Sequence, residues 1–223
     1  MSPQMSPTSD LIESLVADAN PVRPLRPPAV RAVGWLLFAA LVLTLVGVAH
    51  GMRPDLAAKL HQPVFVMGVA AAALTGILAA VASFVASVPG RSLRWLLLPL
   101  PALVAWVSTI GYGCLTNWVE IGPDGMSLGE TARCFATLGL TGIPLSLALL
   151  IMLRHVARLA PAPVVMTGSL AVAALTAVAL SMFHPLDATV MILVWNFGVA
   201  AMLLLVSARY SHRLFAWVTS PVR

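Results

Sequence analysis

The stretch "VFVMGVAAAALTGILAAVASFVASV", residues 64–88, runs for 25 residues without a charged side chain. Crossing a bilayer core takes about 20 helical residues, so this stretch is long enough for one membrane-spanning helix. Gly68, Ala72, Gly76 and Ala80 recur every four residues within it, which places four small side chains on one helix face. Such a row lets a second backbone approach closely, and we interpret it as a packing surface within the chain or in a dimer.

The composition of the whole chain agrees with a membrane protein. Its 223 residues are 60% hydrophobic and only 9% charged, whereas a soluble domain carries roughly 25% charged residues. Apolar segments of spanning length occur six times, at residues 32–50, 64–88, 95–113, 129–153, 164–183 and 189–208. We therefore predict an all-α polytopic membrane protein: a six-helix transmembrane domain at 32–208, with tails at 1–31 and 209–223.

The distribution of arginine and lysine predicts the orientation. Ten of these 13 residues fall in the two tails and the even-numbered links, and the other three are Arg53, Lys59 and Arg133. An excess of Lys and Arg marks the cytoplasmic side, so both termini are predicted to be cytoplasmic. The odd-numbered links then face outward, where disulfides can persist. The basic residues are scattered, which favours topology-setting loop charges and predicts no direct contact with nucleic acid.

The predicted spans lack the residues that transport requires. No Asp, Glu, Lys or Arg lies in the middle of any span, and ionisable residues at that depth usually mark ion or substrate pathways. A small membrane transporter or channel is therefore the alternative rather than the preferred function. A thiol redox enzyme is a third class, which the absence of a C-x-x-C motif disfavours. We predict no catalytic residue.

Both cysteines, Cys114 and Cys134, lie in the polar interruption "GYGCLTNWVEIGPDGMSLGETARC", residues 111–134, which is predicted to face outward. Within it "SLGE" matches a capping box and predicts that the fourth span begins at Ser127. Three interpretations stay open. The cysteines are two small buried apolar residues, or they form a disulfide that closes a loop of about 20 residues and contributes roughly 3 kcal/mol, or their thiolates sense a metal or an oxidant.

The N-terminal tail carries the pattern of a short amphipathic helix, "DLIESLVADAN". Asp10 and Glu13 have the spacing of a capping pair, and Pro21 follows the far end. The apolar side chains on one face are Leu11, Ile12, Leu15 and Val16. A helix of about ten residues is marginal in water, which suits folding in a partner's groove. Docking onto the protein's own cytoplasmic face, or disorder, are the alternatives.

Four motifs occur in an order that resembles the NrsF-type family, the negative regulators of sigma F: "DLIESLVADANPVRPLRPP", "GMRPDLAAKL", "SVPGR" and "CLTNWVEIGPDGMSLGETARC". The resemblance extends from about residue 9 to residue 208. It implies a six-span anti-sigma factor of the bacterial inner membrane that holds an extracytoplasmic-function sigma factor until an envelope stress is sensed. Amphipathicity and the resemblance together assign sigma binding to Asp10, Leu11, Ile12, Glu13, Leu15 and Val16.

The resemblance also implies a signal that depends on cysteines facing the periplasm. One family cysteine falls in "GETARC", here Cys134, and another falls in the turn between the fifth and sixth spans. That turn here reads "MFHPLDATV", with His184 and no cysteine. The predicted sensing residues are Cys114, Cys134 and His184, of which Cys134 and His184 form a candidate metal pair. We expect no resident cofactor, a heavy-metal ion only as a transient signal, and the lipid bilayer and a second copy of the chain as further candidate partners.

Overall fold

The computed structural model describes residues 7–17, 26–116, 128–153 and 161–183, together with Met202 and Leu205. Over these residues the secondary structure is helical and contains no strand. The α-helices are α1 (Pro7–Ala17), α2 (Pro28–His50), α3 (Leu56–Lys59), α4 (Pro63–Ala86), α5 (Leu100–Thr116), α6 (Leu128–Leu153) and α7 (Pro161–Phe183), and a 3₁₀ helix spans Leu93–Leu97.

Five helical segments of the described chain are long and apolar enough to cross a membrane: Pro28–His50, Pro63–Ala86, Leu93–Tyr112, Ala136–Leu153 and Ala162–Phe183. They coincide with the first five predicted spans, so the described chain is all-α and has five helices that are able to cross a membrane by length and composition. The sixth predicted span, 189–208, lies outside the described residues except for Met202 and Leu205. The six-span count and the orientation therefore stay predictions.

Local sequence explains where the spanning helices begin and end. Pro28 and Pro63 start α2 and α4, and proline suits the first helical position because its fixed φ is helical and no N–H is needed there. Gly51, with a φ of 75°, ends α2 and donates its N–H to the carbonyl of Gly47. Helix α6 begins at Leu128, one residue after the predicted cap Ser127.

The third span, predicted as one segment over 95–113, consists of two helices. The 3₁₀ helix ends at Leu97, and α5 starts afresh at Leu100. Pro99 has no N–H and its ring crowds the preceding turn, so a continuous helix is interrupted at this point. Pro101 then lies in the first turn of α5, where the missing N–H removes no helical bond. Pro144, by contrast, lies inside α6, which continues through it.

Helix α4 is the centre of the bundle, because it packs against α2, α5 and α7. A Cβ atom added at Gly76 would lie 2.9 Å from Cγ of Leu175 on α7, and one at Gly68 would lie 3.2 Å from Oγ1 of Thr109 on α5. Ala80, from the same row, is fully buried. The predicted small-residue row is thus confirmed as a packing surface, and it serves contacts within the chain.

Contacts at the two ends of the bundle show that successive spanning helices alternate in direction. Near the start of α2, Arg31 contacts Met152 near the end of α6 and Phe84 near the end of α4. Near the end of α2, Gly47 lies against Phe183, the last residue of α7. We call the end that holds Arg31, Phe84 and Met152 the tail end, and the end that holds Gly47 and Phe183 the far end.

Candidate functional site

Helix α1 carries the residues predicted to bind a sigma factor. It begins at Pro7, so Asp10 lies in the first turn of the helix and not at the cap. The predicted capping role of Asp10 is therefore wrong, because Pro7 can begin the helix one turn earlier. Its carboxylate still lies near the positive end of the helix dipole.

The apolar face of α1 is uncovered. Leu11, Ile12, Leu15 and Val16 are 58%, 57%, 63% and 69% exposed. Asp10 and Glu13, like every side chain that the structure describes on this helix, are exposed as well. This exposure disagrees with the alternative in which α1 docks onto the protein's own tail end.

The two cysteines lie on helices whose relevant ends are at the far end. Cys114 is two residues before the end of α5, and Cys134 is the seventh residue of α6. The contact between Gly68, near the start of α4, and Thr109, late in α5, places the end of α5 at the far end. Helix α6 finishes at the tail end, so it begins at the far end. The side chains of both cysteines lie outside the described residues.

His184 also lies outside the described residues, directly after the last residue of α7 in the sequence. The helix ends that carry or precede the three predicted sensing residues therefore lie at the same end of the bundle. Their pairing, through a metal ion or a disulfide, stays a prediction. Within the part of the chain that the structure describes, no group of three or more His, Cys, Asp and Glu residues is arranged to hold a metal ion.

At the far end, Arg53 forms a contact that the sequence analysis missed. Its Nε and Nη2 atoms donate to the two carboxylate oxygens of Asp55, each at 2.7 Å. Its backbone N–H donates to the carbonyl of Met182 at 3.2 Å, and Nη1 donates to the carbonyl of Ser181 at 3.4 Å. The guanidinium also lies 5.9 Å from the ring centroid of Phe65. Arg53 thereby places a cation and donors at the carbonyl end of α7, where both are favourable.

Burial distinguishes the two members of this ion pair. The side chain of Arg53 is 1% exposed, whereas that of Asp55 is 47% exposed. Arg53 lies in the link between α2 and α3, as predicted, but the sequence did not predict its burial. The hydrogen bonds from Arg53 lower the pKa of the Asp55 carboxyl, since they stabilise its ionised form. Asp55 stands at the N-cap position of α3 without capping it, because its carboxylate faces Arg53.

Arg31 forms a second buried contact, at the tail end. Only 8% of the residue is exposed, and its Nη2 atom donates to the carbonyl of Met152. The guanidinium lies 5.3 Å from the ring centroid of Phe84. One turn further along α2, Trp35 donates its indole N–H to the carbonyl of Leu145 at 3.2 Å. The interpretation of Arg31 as a tail charge is wrong; the signal available in the sequence was an arginine and a tryptophan four residues apart on one helix face.

The chain matches the model of a known protein family. The family model described as "Negative regulator of sigma F" (NrsF) matches residues 15–217, which leaves out only the first 14 and the last 6 residues. The match begins at Leu15, inside α1, and includes all the spanning helices. No curated protein and no solved structure matches the chain.

Proposed function

The chain belongs to the NrsF family of negative regulators of sigma F, and on that premise we propose that it is a membrane-bound anti-sigma factor. In this proposal α1 holds an extracytoplasmic-function sigma factor at the cytoplasmic face of a bacterial inner membrane. An envelope stress that acts at the far end, a metal ion or an oxidant, releases it. The protein acts by binding, and it needs no catalytic residue and no resident cofactor.

The observation that carries the proposal is the uncovered apolar face of α1. Four aliphatic side chains of this helix are more than half exposed. Burying one such side chain in a groove contributes about 1.5–3 kcal/mol, so a partner that covers several of them gains enough free energy to order a helix that is marginal alone. Family membership identifies the partner as a sigma factor.

The segment between α1 and α2 supports the same function. It comprises residues 18–27 and includes Pro21, Pro24 and Pro27. Proline-rich linkers favour an extended conformation of about 3.1 Å per residue, so ten residues reach about 30 Å. This reach lets a folded partner bind α1 without meeting the bilayer surface.

The signal-sensing part of the proposal assigns Cys134, with Cys114 and His184, to the far end. A soft metal ion that binds thiolate or imidazole draws its ligands together and releases protons. A conformational equilibrium shifts only when the ligand interacts differently with the two states. Two ligands on separate helix ends meet that requirement, because they are closer together in the metal-bound state.

Sigma binding is tested with a charge placed on the apolar face of full-length protein in detergent. We expect Leu15→Asp to weaken capture of the sigma factor at least tenfold, because binding would then bury an unpaired carboxylate. Sigma-dependent transcription should rise in cells. Ala17→Asp is the matched control, since Ala17 is exposed and lies about 160° round the helix from Leu15. Unchanged repression by Leu15→Asp would refute the assignment of the binding face.

Sensing is tested by replacing both cysteines. We expect the double variant Cys114→Ser, Cys134→Ser to bind the sigma factor normally and to lose induction by cadmium ions or diamide, because serine supplies no thiolate. The readout is a sigma-dependent reporter measured with and without each agent. Normal induction in this variant would exclude the thiols as the sensing groups.

A further inference from the structure

We propose that Arg31 and Trp35 are positioning residues that couple α6 to the N-terminal tail. They fasten the part of α6 that follows Pro144 to the first turns of α2, so that a movement of α6 changes the path of the tail that carries α1. This inference rests on the proposed function, because it names the route by which a signal at the far end reaches the sigma-binding helix.

The first step in the argument is the direction of the hydrogen bonds. Both donors belong to the first turns of α2, and both acceptors are backbone carbonyls of α6. Trp35 donates to Leu145, the residue directly after Pro144, and Arg31 donates to Met152, two turns later. Two bonds therefore hold the last part of α6, residues 145–153, against α2.

The second step concerns Pro144 itself. A proline inside a helix removes one backbone hydrogen bond and crowds the preceding turn, so bending concentrates there. It divides α6 into a segment at the far end, which carries Cys134, and a segment at the tail end, which α2 holds. The far-end segment can therefore change its direction while residues 145–153 transmit the displacement to Arg31 and Trp35.

The third step is that the contact between α2 and α6 is tightly packed. Trp35, Leu145 and Phe84 are each 0% exposed, and Phe84 lies beneath the Arg31 guanidinium. Packing in such a core matches that of organic crystals, and a hydrogen bond weakens steeply once its angle at the hydrogen falls below about 120°. A displacement of residues 145–153 must then either break these bonds or move the start of α2.

The last step connects α2 to the tail. The backbone N–H of Arg31 donates to the carbonyl of Pro27 at 3.2 Å, so Arg31 is bonded both to α6 and to the residue directly before α2. Pro28, the first residue of α2, follows directly. The route thus runs from α6 through two side chains to the point where the tail joins the bundle.

The first experiment compares Trp35→Phe and Arg31→Lys with Ser83→Ala in the full-length protein. Trp35→Phe removes the indole N–H donor together with part of the buried ring volume, and Arg31→Lys keeps the charge but removes the planar fork. Ser83→Ala is the matched control, because it removes a buried bond of the same kind at the same end, from Oγ of Ser83 to the carbonyl of Val164 at 3.1 Å, between α4 and α7.

We expect both test variants to repress like wild type, while their induction by cadmium ions or diamide falls at least tenfold and that of Ser83→Ala stays normal. Normal induction in Trp35→Phe and Arg31→Lys, or constitutive release in both, would overturn the coupling. A wild-type protein that captures no sigma factor would instead refute the proposed function and leave the coupling to the second measurement.

The second measurement needs no signal and no sigma factor. Hydrogen–deuterium exchange of residues 28–35 is measured in the wild type, in Cys134→Trp, in Trp35→Phe and in the double variant, as a double-mutant cycle. We expect Cys134→Trp to raise exchange in residues 28–35 at least threefold in the wild-type background and to have no such effect in the Trp35→Phe background. Exchange in residues 28–35 that Cys134→Trp leaves unchanged, or changes equally in both backgrounds, would disprove the coupling.

Discussion

Two arginines, at opposite ends of the bundle, perform the same task on different helices. The last carbonyls of an α-helix have no partner within the helix, and a guanidinium can supply donors to them without losing its charge. The guanidinium of Arg31 does so for α6, at Met152, and that of Arg53 does so for α7, at Ser181, while the backbone N–H of Arg53 donates to Met182. Each guanidinium also lies near a phenylalanine ring, which adds a cation–π attraction.

Removal of the Arg53 side chain should destabilise the far end. In Arg53→Met the half-buried carbonyl of Ser181 loses a donor, and a polar group left without a partner costs at most about 1–3 kcal/mol when it is fully buried. We expect the melting temperature of the protein in detergent to fall by several degrees. Arg91→Met, which removes an exposed arginine, is the control and should melt like wild type; equal effects of the two substitutions would contradict a role for the buried contact.

The ion pair between Arg53 and Asp55 should give the far end an acid-sensitive stability. The pKa of Asp55 is lower in the folded protein than its ordinary value, so the folded state binds fewer protons and is favoured above the unfolded-state pKa. That stabilisation is fully present at pH 7 and is lost as pH falls through the lowered pKa, below about pH 4. Melting temperatures measured from pH 7 down to pH 3 should fall less steeply in Asp55→Asn, and identical acid slopes would contradict this assignment.

The burial of Arg31 and Arg53 was not predicted from the sequence, and the reason is physical. The excess of Lys and Arg on one side predicts the side of the membrane on which a charge lies, but it carries no information on how deeply the side chain is buried. Arg31 is buried by Met152, 121 residues away, and Arg53 contacts Ser181, 128 residues away. Burial therefore depends on which distant helix ends meet, and one local pattern cannot predict that.

At the scale of the element, length and the absence of charge were enough to find five spanning helices, and proline at the first position explains the starts of α2 and α4. Local rules failed where two signals competed. The apolar run at 95–113 predicted one helix, but Pro99 has no N–H and its ring crowds the preceding turn, and the helix is interrupted there. In α1 the prediction followed the capping pair at Asp10, whereas Pro7 starts the helix earlier.

The packing of α4 gives a prediction about close approach of two helices. A Cβ atom at Gly76 would lie 2.9 Å from Cγ of Leu175 and 3.4 Å from the carbonyl oxygen of Ala171, so both the side chain and the backbone of α7 resist it. We expect Gly76→Ala to destabilise the protein by about 1–3 kcal/mol through overpacking. Gly34→Ala is the control, because a Cβ atom there meets nothing within 4 Å.

The control should be neutral or stabilising by up to about 1 kcal/mol, since alanine loses less backbone entropy than glycine within a helix. Both variants are compared with the wild type by thermal unfolding in the same detergent. If Gly76→Ala melted like Gly34→Ala, the approach of α4 to α7 would be looser than the described contacts imply.

At the scale of the whole molecule, the packing agrees with the alternation that charge patterning predicts. Arg31, Arg91 and Arg94, which are predicted to be cytoplasmic, belong to the start of α2 and to the link and 3₁₀ helix between α4 and α5. Those segments adjoin the tail end, where Phe84 and Met152 also lie. Lys59, from the outward set, belongs to α3, between the end of α2 and the start of α4. The alternation shows which segments share an end of the bundle. The side of the bilayer on which each end lies follows only from the charge count.

Fusions to alkaline phosphatase, which is active only outside the cytoplasm, test directly which side of the membrane each link faces. We expect a fusion in the link between α5 and α6, after residue 124, to be active, because three spans precede it in the predicted order. A fusion after residue 160 and one after residue 223 should be inactive, because four and six spans precede them. Green fluorescent protein at the same three positions is the reciprocal control, since it fluoresces only when it folds in the cytoplasm.

The pattern of activity at the three positions has consequences for the function. Activity after residue 223 with inactivity after residue 160 would mean that the segment 189–208 does not cross the membrane, while α1 would still be cytoplasmic. Activity after residue 160 but not after residue 124 would place the tail end outside the cytoplasm, where α1 cannot reach a sigma factor. Only the predicted pattern, or the first of these exceptions, keeps the exposed apolar face of α1 on the side where transcription takes place, and the anti-sigma function requires that side.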